Sequence, residues 1–133
     1  MDNDENQDMN EIEELAEQFK RAADMGDFCY LDEPDLEDVI GYFLDNDDWK
    51  YSKKAIAMGL KNYPKEPYFR ILHVKYFTLR RKFKDAENEI NYIELHFPPI
   101  PELYVEKIML AHATNQNIDA IALLKKALKL DEG

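Results

Sequence analysis

Two prolines that each close an amphipathic stretch lie 34 residues apart, at Pro64 and Pro98. Aromatic residues recur at the same interval ahead of them, at Trp49 and Phe83. Between the prolines run an apolar stretch, a short basic break and a second apolar stretch, which is the pattern of two helices joined by a tight turn. One such hairpin cannot bury its apolar faces alone, so its recurrence predicts a stack of hairpins.

Small and apolar residues occupy corresponding places in three successive units that repeat with a period of 34 residues. A small residue early in each second helix would let the two backbones approach closely, and the aromatic residue before it would close the end of the hairpin. The units are 33–66, 67–100 and 101–133. The aligned columns are Ser52, Ala86 and Ala120; Ile40, Val74 and Ile108; Tyr42, Tyr76 and Leu110; Phe43, Phe77 and Ala111; and Ile56, Ile90 and Leu124.

The chain ahead of the repeats divides into an acidic tail and one helix. Residues 1–9 are acidic and polar, and we expect them to be disordered. Residues 10–32 predict a helix that Asn10 caps and Gly26 ends, followed by a connector. The apolar residues expected to anchor that connector are Phe28, Tyr30 and Leu31.

Composition favours an all-helical domain in a reducing compartment. A length of 133 residues suits one domain, and four glycines with no β-type alternation argue against sheet. No apolar run is long enough to span a membrane, and no targeting segment is visible. Cys29 is the single cysteine, which excludes an intramolecular disulfide. Together these features predict a cytoplasmic protein.

The net charge of −11 argues against nucleic acid as a partner. Residues 1–48 hold 18 acidic side chains against two basic ones, whereas residues 49–100 hold 11 basic against five acidic. An acidic head could dock on a basic middle, its own or a partner's. A solvated acidic segment beside a solvated basic face explains the same pattern and is the favoured interpretation.

The turn and second helix of each unit resemble the tetratricopeptide repeat family. The similar stretches are DNDDWKYSKKAIAMGLKNYP, LRRKFKDAENEINYIELHFP and ATNQNIDAIALLKKALKLDE, which place three repeats within residues 33–133. The resemblance implies a right-handed α-solenoid of three hairpins preceded by one N-terminal helix. The chain departs from the family pattern at Ile40, Val74 and Ile108, where a small residue is preferred, and at Asn117, which replaces the turn aromatic.

The N-terminal helix with the stretch FCYLDEPDLEDVIGYFLDN also resembles the start of longer bacterial tetratricopeptide proteins. Repeat arrays generally carry a polar terminal helix, and the sequence stops at the end of a second helix. We therefore expect the N-terminal part of a longer bacterial protein. We also hypothesise that the apolar face around Leu123, Leu124 and Ala127 pairs with another copy to form a homodimer.

The sequence contains no recognisable catalytic or metal-binding constellation. His73, His96 and His112 are not spaced as metal ligands and have no cysteine or carboxylate to complete a set. Cys29 has no nearby histidine to activate it. There is no glycine-rich phosphate loop. We therefore expect no enzyme, metal or cofactor.

The resemblance implies a surface as the functional site. In tetratricopeptide folds the first helices line a concave groove that holds extended peptides or partner helices. Apolar side chains with one lysine suit a peptide whose apolar residues fill shallow pockets. Mapped by repeat position, the groove comprises Glu37, Gly41, Leu44 and Asp45; Tyr68, Ile71, Lys75, Thr78 and Leu79; and Glu102, Val105, Met109, His112 and Ala113.

The leading function is a non-enzymatic interaction module or scaffold that binds a protein or peptide, and not nucleic acid or membrane. Some family members clamp acidic chaperone tails with lysine and asparagine; Glu37 and Gly41 stand at those places, so that ligand class is not expected. Two alternatives remain open. One is a small acidic secretion chaperone, because such chaperones also resemble three repeats after a helix. The other is an enzyme or small-molecule sensor.

Overall fold

The computed structural model describes the backbone of residues 2–132 and the side chains of residues 10–130. Across that range the chain forms seven α-helices and no strand, so the all-helical prediction is confirmed for the described residues. The helices divide between two compact units, Met1–Pro64 and Lys65–Gly133. The first unit holds α1 (Asp2–Met25), α2 (Glu33–Asp45) and α3 (Trp49–Asn62); the second holds α4 (Tyr68–Leu79), α5 (Phe83–His96), α6 (Pro101–Ala113) and α7 (Ala120–Glu132).

One turn geometry recurs after α2, α4 and α6. Asp47, Arg81 and Asn115 lie 34 residues apart and have positive φ angles of 55°, 60° and 57°. Each donates its N–H to the carbonyl three residues earlier, at 3.1–3.2 Å, and the next N–H donates to the carbonyl five residues before it, at 2.8 Å. These two bonds define the Schellman end of a helix. The 34-residue period of the sequence is therefore also a period of the backbone.

Helices on either side of each turn pack as a pair: α2 with α3, α4 with α5, and α6 with α7. In the first two pairs the second helix begins two residues after the left-handed residue. In the third pair α7 begins three residues later than that register, and the Asp119 carboxylate accepts the Ala122 N–H at 3.0 Å. Asn117 stands in this longer turn at the position where Trp49 and Phe83 begin the second helices of the other pairs.

Because of this late start, Ala120 is not equivalent to Ser52 and Ala86, although the aligned column had predicted that it would be. Ser52 and Ala86 are fully buried early in their second helices. Ala120 is instead the first residue of α7 and is only half-buried. The third hairpin therefore closes differently at the turn end.

The first unit is built around Phe43 of α2. Its ring centroid lies 5.8 Å from that of Phe19 in α1 and 5.9 Å from that of Tyr51 in α3. The Lys20 Nζ lies 3.3 Å from the Asp48 carboxylate at the start of α3. Aromatic packing thus joins all three helices, and an ion pair ties α1 to the turn.

The N-terminal helix is longer than expected. It begins at Asp2, so Asn10 lies inside the helix and does not cap it. Glutamate and glutamine favour helix, and acidic side chains are stabilising in a first turn. The side chains of 1–9 lie outside the described residues, and the disorder expected there stays a prediction. Gly26 ends the helix as predicted, with φ of 72°.

The connector after α1 is anchored by one of its three expected residues. Leu31 is buried, and its carbonyl accepts the Tyr63 hydroxyl at 2.9 Å. Phe28 and Tyr30 are each 70% exposed, so their predicted anchoring role is wrong. Side chains in an extended segment alternate between faces, and here Cys29 and Leu31 take the inner one.

Arg81 is the left-handed turn residue least suited to its backbone. Asparagine and aspartate tolerate positive φ better than a long side chain does. We predict that Arg81→Gly raises the free energy of unfolding by about 1 kcal/mol and that Arg81→Val lowers it by about 1 kcal/mol. Urea denaturation measures both.

The two Arg81 variants are matched, because each also loses the guanidinium that lies 5.1 Å from the Phe83 ring centroid. Their difference therefore reports the backbone conformation. A glycine variant no more stable than the valine variant would contradict the left-handed turn.

Candidate functional site

The first unit exposes part of the predicted groove along one side of α2. Glu37, Gly41 and Asp45 are spaced four residues apart and border an open depression of about 280 Å³, which Ile12 of α1 also lines. A Cβ on Gly41 would meet no atom within 4 Å, so packing does not require glycine there. Leu44 departs from the prediction, because its side chain is buried in the core.

The second unit presents the clearest predicted surface, on α6. Glu102, Val105, Met109 and His112 are all exposed, and their spacing places them on one face of the helix. Val105 and Met109 are 44% and 51% exposed. Ala113, the last predicted residue of this helix, is half-buried. An apolar pair with polar neighbours on each side suits contact with another polypeptide.

Four of the five residues predicted on α4 reach solvent. Tyr68 and Leu79 are exposed, and Lys75 and Thr78 are half-buried. Ile71 was predicted to line the groove, and this prediction is wrong. Its side chain is 5% exposed and belongs to the apolar cluster that includes residues of α5 and α6. Because α4 packs against both of those helices, the Ile71 side chain is covered.

Polar groups on α4 and α6 add chemistry to this surface. Burial raises the pKa of the half-buried Glu106 carboxyl, while the charge of Lys75 acts in the opposite direction. The Thr78 Oγ1 is shielded from solvent and has no hydrogen-bond partner among the described residues. Because that oxygen does not reach the surface, the polar groups available here to a ligand are the half-buried Lys75 and Glu106.

A polar cluster around the buried Glu89 joins α4 to α5 and was not among the predicted sites. One Glu89 carboxylate oxygen lies 2.8 Å from Arg70 Nη1, and the other lies 2.9 Å from His73 Nδ1. The His73 ring stacks on Phe77 with centroids 4.1 Å apart. Burial alone would raise the pKa of Glu89, but the hydrogen bonds from His73 and Arg70 outweigh it and lower that pKa. Both carboxylate oxygens are engaged, which makes the cluster a structural link between helices.

A signal for Glu89 was present in the sequence. Glu89 shares a repeat column with Ala55 and Leu123, both apolar. A carboxylate at a place that is otherwise apolar predicts a buried partner, and His73, one of the three histidines, supplies it.

Among the described residues, the other titratable side chains do not form a reactive or metal-binding cluster. Burial raises the pKa of the Cys29 thiol, which lowers its reactivity. Within the described residues there is no group of three or more His, Cys, Asp or Glu side chains that could hold a metal ion. In that same part of the chain, every helix is too short or too polar to cross a bilayer.

The face of α7 that was predicted to pair with a second copy is only partly exposed. Ala127 is buried and Leu123 is half-buried, whereas Leu124 is exposed. Leu124 lies in a stripe with Ile121 and Leu128, which are also exposed and follow helical spacing. The apolar face of α7 that reaches solvent is therefore this stripe.

Comparisons with protein-family models, with curated proteins and with solved structures found no match. The resemblance to tetratricopeptide repeats therefore stays a prediction, and the ligand class must be inferred from the side chains themselves.

The buried cluster generates a stability prediction with a defined pH dependence. We predict that Glu89→Ala lowers the free energy of unfolding by about 2 kcal/mol at pH 7, because Arg70 and His73 lose their shared partner. The folded-state pKa of Glu89 is depressed, so its stabilisation is full above the unfolded-state pKa of about 4.3. The stabilisation is lost as the pH falls through the folded-state pKa.

Urea denaturation at pH 7 and at lower pH values measures this effect as the difference between the wild type and the variant. Glu87→Ala on the same helix is the control, because its nearest cation, Lys84, lies 3.9 Å away on an exposed surface. Equal losses in the two variants would show that Glu89 is not a structural link.

Proposed function

We propose that the protein is a non-enzymatic interaction module of the tetratricopeptide type, which binds an extended or helical peptide along its first helices. In this proposal the three hairpins, 33–66, 67–100 and 101–133, form a right-handed α-solenoid preceded by α1, and the protein works in the bacterial cytoplasm. The support is the recurrence of one left-handed turn at 34-residue intervals. A repeat of that length in helical hairpins is typical of this family.

The exposed face of α6 is the observation that carries the binding proposal. Val105 and Met109 leave about half of their surfaces in solvent, next to His112 and Glu102. Exposed apolar side chains that share a face and have a polar border are typical of interaction sites. Methionine adapts to partners of different shape, which suits recognition of a peptide.

The proposed mechanism is preorganisation. Side chains on helices that are already packed bind without first paying the entropy of ordering the backbone. Apolar side chains of the peptide would contact Val105 and Met109 on α6 and Tyr68 on α4. Lys75 would pair with an acidic or carbonyl group of the peptide.

A secretion chaperone is the second candidate, and the apolar stripe of α7 favours it. Ile121, Leu124 and Leu128 would cover an apolar stretch of a secreted protein. The proposed homodimer would use the same stripe. Light scattering that finds monomers at every concentration would exclude the dimer.

Substitutions on the proposed surface test the binding function. The immobilised full chain captures proteins from a lysate of its source organism, and Met109→Glu and Lys75→Glu are compared with it. We predict that Met109→Glu reduces capture of the specific partner about tenfold or more, because it places a charge in an apolar contact. Lys75→Glu should reduce capture by reversing the charge offered to the partner.

Leu95→Glu is the matched control, because Leu95 is 79% exposed on α5, a helix that contributes no residue to the proposed surface. Circular dichroism verifies that all three variants keep their helical content. A partner retained by both surface variants, or lost with Leu95→Glu alone, would refute the assignment to α4 and α6.

A further inference from the structure

A cavity lies on the side of α6 opposite Val105 and Met109. The cavity is open to solvent, has a volume of about 320 Å³, and is bordered by α5, α6, the turn after α6 and the start of α7. Its apolar surface comes from Ile90, Leu110, Ala111, Ile118 and Leu123.

The cavity occupies a place where the other hairpins carry an aromatic ring. Ala111 occupies the repeat position of Phe43 and Phe77. Phe43 packs among the rings of its own unit, and Phe77 stacks on the His73 ring at 4.1 Å. The third hairpin has a methyl group at this position, and that methyl lines the cavity.

A second ring is missing from the same end of the hairpin. Asn117 replaces the aromatic residue found at Trp49 and Phe83, and α7 starts late. Gln116 and Ile118, on either side of Asn117, line the cavity. The cavity therefore lies where the other hairpins have aromatic side chains, and its lining is apolar, as expected around a space that such rings would fill.

The rim of the cavity carries an excess of negative charge. Glu87 and Glu94 border it from one face of α5, and Lys107 borders it from α6. The Lys107 Nζ lies 3.0 Å from the Glu94 carboxylate, so these two charges largely compensate each other. Among the described residues, the ion pair of Glu87 is with the exposed Lys84, at 3.9 Å, and such a surface pair is weak. A ligand with a positive charge beside its apolar part would complement this rim.

We propose that this cavity binds an aromatic side chain of a partner protein, on a segment that carries lysine or arginine next to the aromatic residue. The apolar lining takes the ring, and Glu87 attracts the neighbouring cation. The exposed Phe28 of a second copy fits the rim poorly, because it follows the acidic Asp27.

The site is separate from the surface proposed above. Lys107, Leu110 and Ala111 face away from Val105 and Met109 by helical periodicity. The two proposals can therefore fail independently of each other.

Three short capped peptides test the cavity directly on the full chain. They contain lysine–tryptophan–lysine, lysine–alanine–lysine or glutamate–tryptophan–glutamate between glycines, and binding is followed by NMR of labelled Ile, Leu and Ala methyl groups. The first peptide should shift the methyl signals of Ile90, Leu110 and Leu123 in a saturable way. The other two should bind about tenfold more weakly, because they lack the ring or the complementary charge.

Two variants make the test specific. Ala111→Phe restores the ring of the other hairpins and should abolish binding of the lysine–tryptophan–lysine peptide. Glu87→Lys changes an accessible rim residue and should reverse the preference toward the glutamate–tryptophan–glutamate peptide, which keeps the test decisive if the filled cavity does not fold. The control is Met25→Gln, because Met25 is 75% exposed at the end of α1 and lines neither proposed site; it should leave the peptide affinity unchanged.

The proposal is overturned if the first peptide shifts none of the cavity methyl signals, or if it binds the folded Ala111→Phe variant with undiminished affinity. It is also overturned if Glu87→Lys leaves the charge preference unaltered. Concentration-dependent shifts of the cavity methyls that disappear in Phe28→Ser would identify a second copy as the occupant and would replace the partner segment.

Discussion

A residue with positive φ, held by two hydrogen bonds to the preceding helix, ends each of α2, α4 and α6. This arrangement stops the helix within one residue and turns the chain back, so that the next helix packs against the one just completed. The apolar faces inside each pair are thereby covered, and one face of α6 keeps Val105 and Met109 in solvent. The exposed row on α6 is a consequence of that geometry.

The helix order and the 34-residue period could be predicted because they depend on local features. Prolines, turn residues and apolar spacing act over a few residues, and their positions repeat. The start of α7 could not be predicted in the same way. At that turn the polar run from Asn115 to Asp119 offers several possible caps, and Asp119 is the one used.

Site prediction was less complete because exposure depends on tertiary packing. Repeat position correctly placed Val105, Met109 and His112 on the solvent side of α6. It failed for Ile71 and Leu44, whose faces are covered by other parts of the structure. The cavity beside α6 lies where Ala111 has no aromatic ring and Phe77 of the second hairpin has one. This difference is visible only when the hairpins are compared in three dimensions.

Measurement of backbone conformation at Asp47, Arg81 and Asn115 tests the central claim most directly. Backbone chemical shifts and three-bond HN–Hα couplings, recorded by NMR on the full chain, report the sign of φ at each residue. The account predicts positive φ at all three, with helical shifts before each turn and again at Trp49, Phe83 and Ala120. A negative φ at any of them, or helical shifts that continue through a turn, would contradict the repeated hairpin.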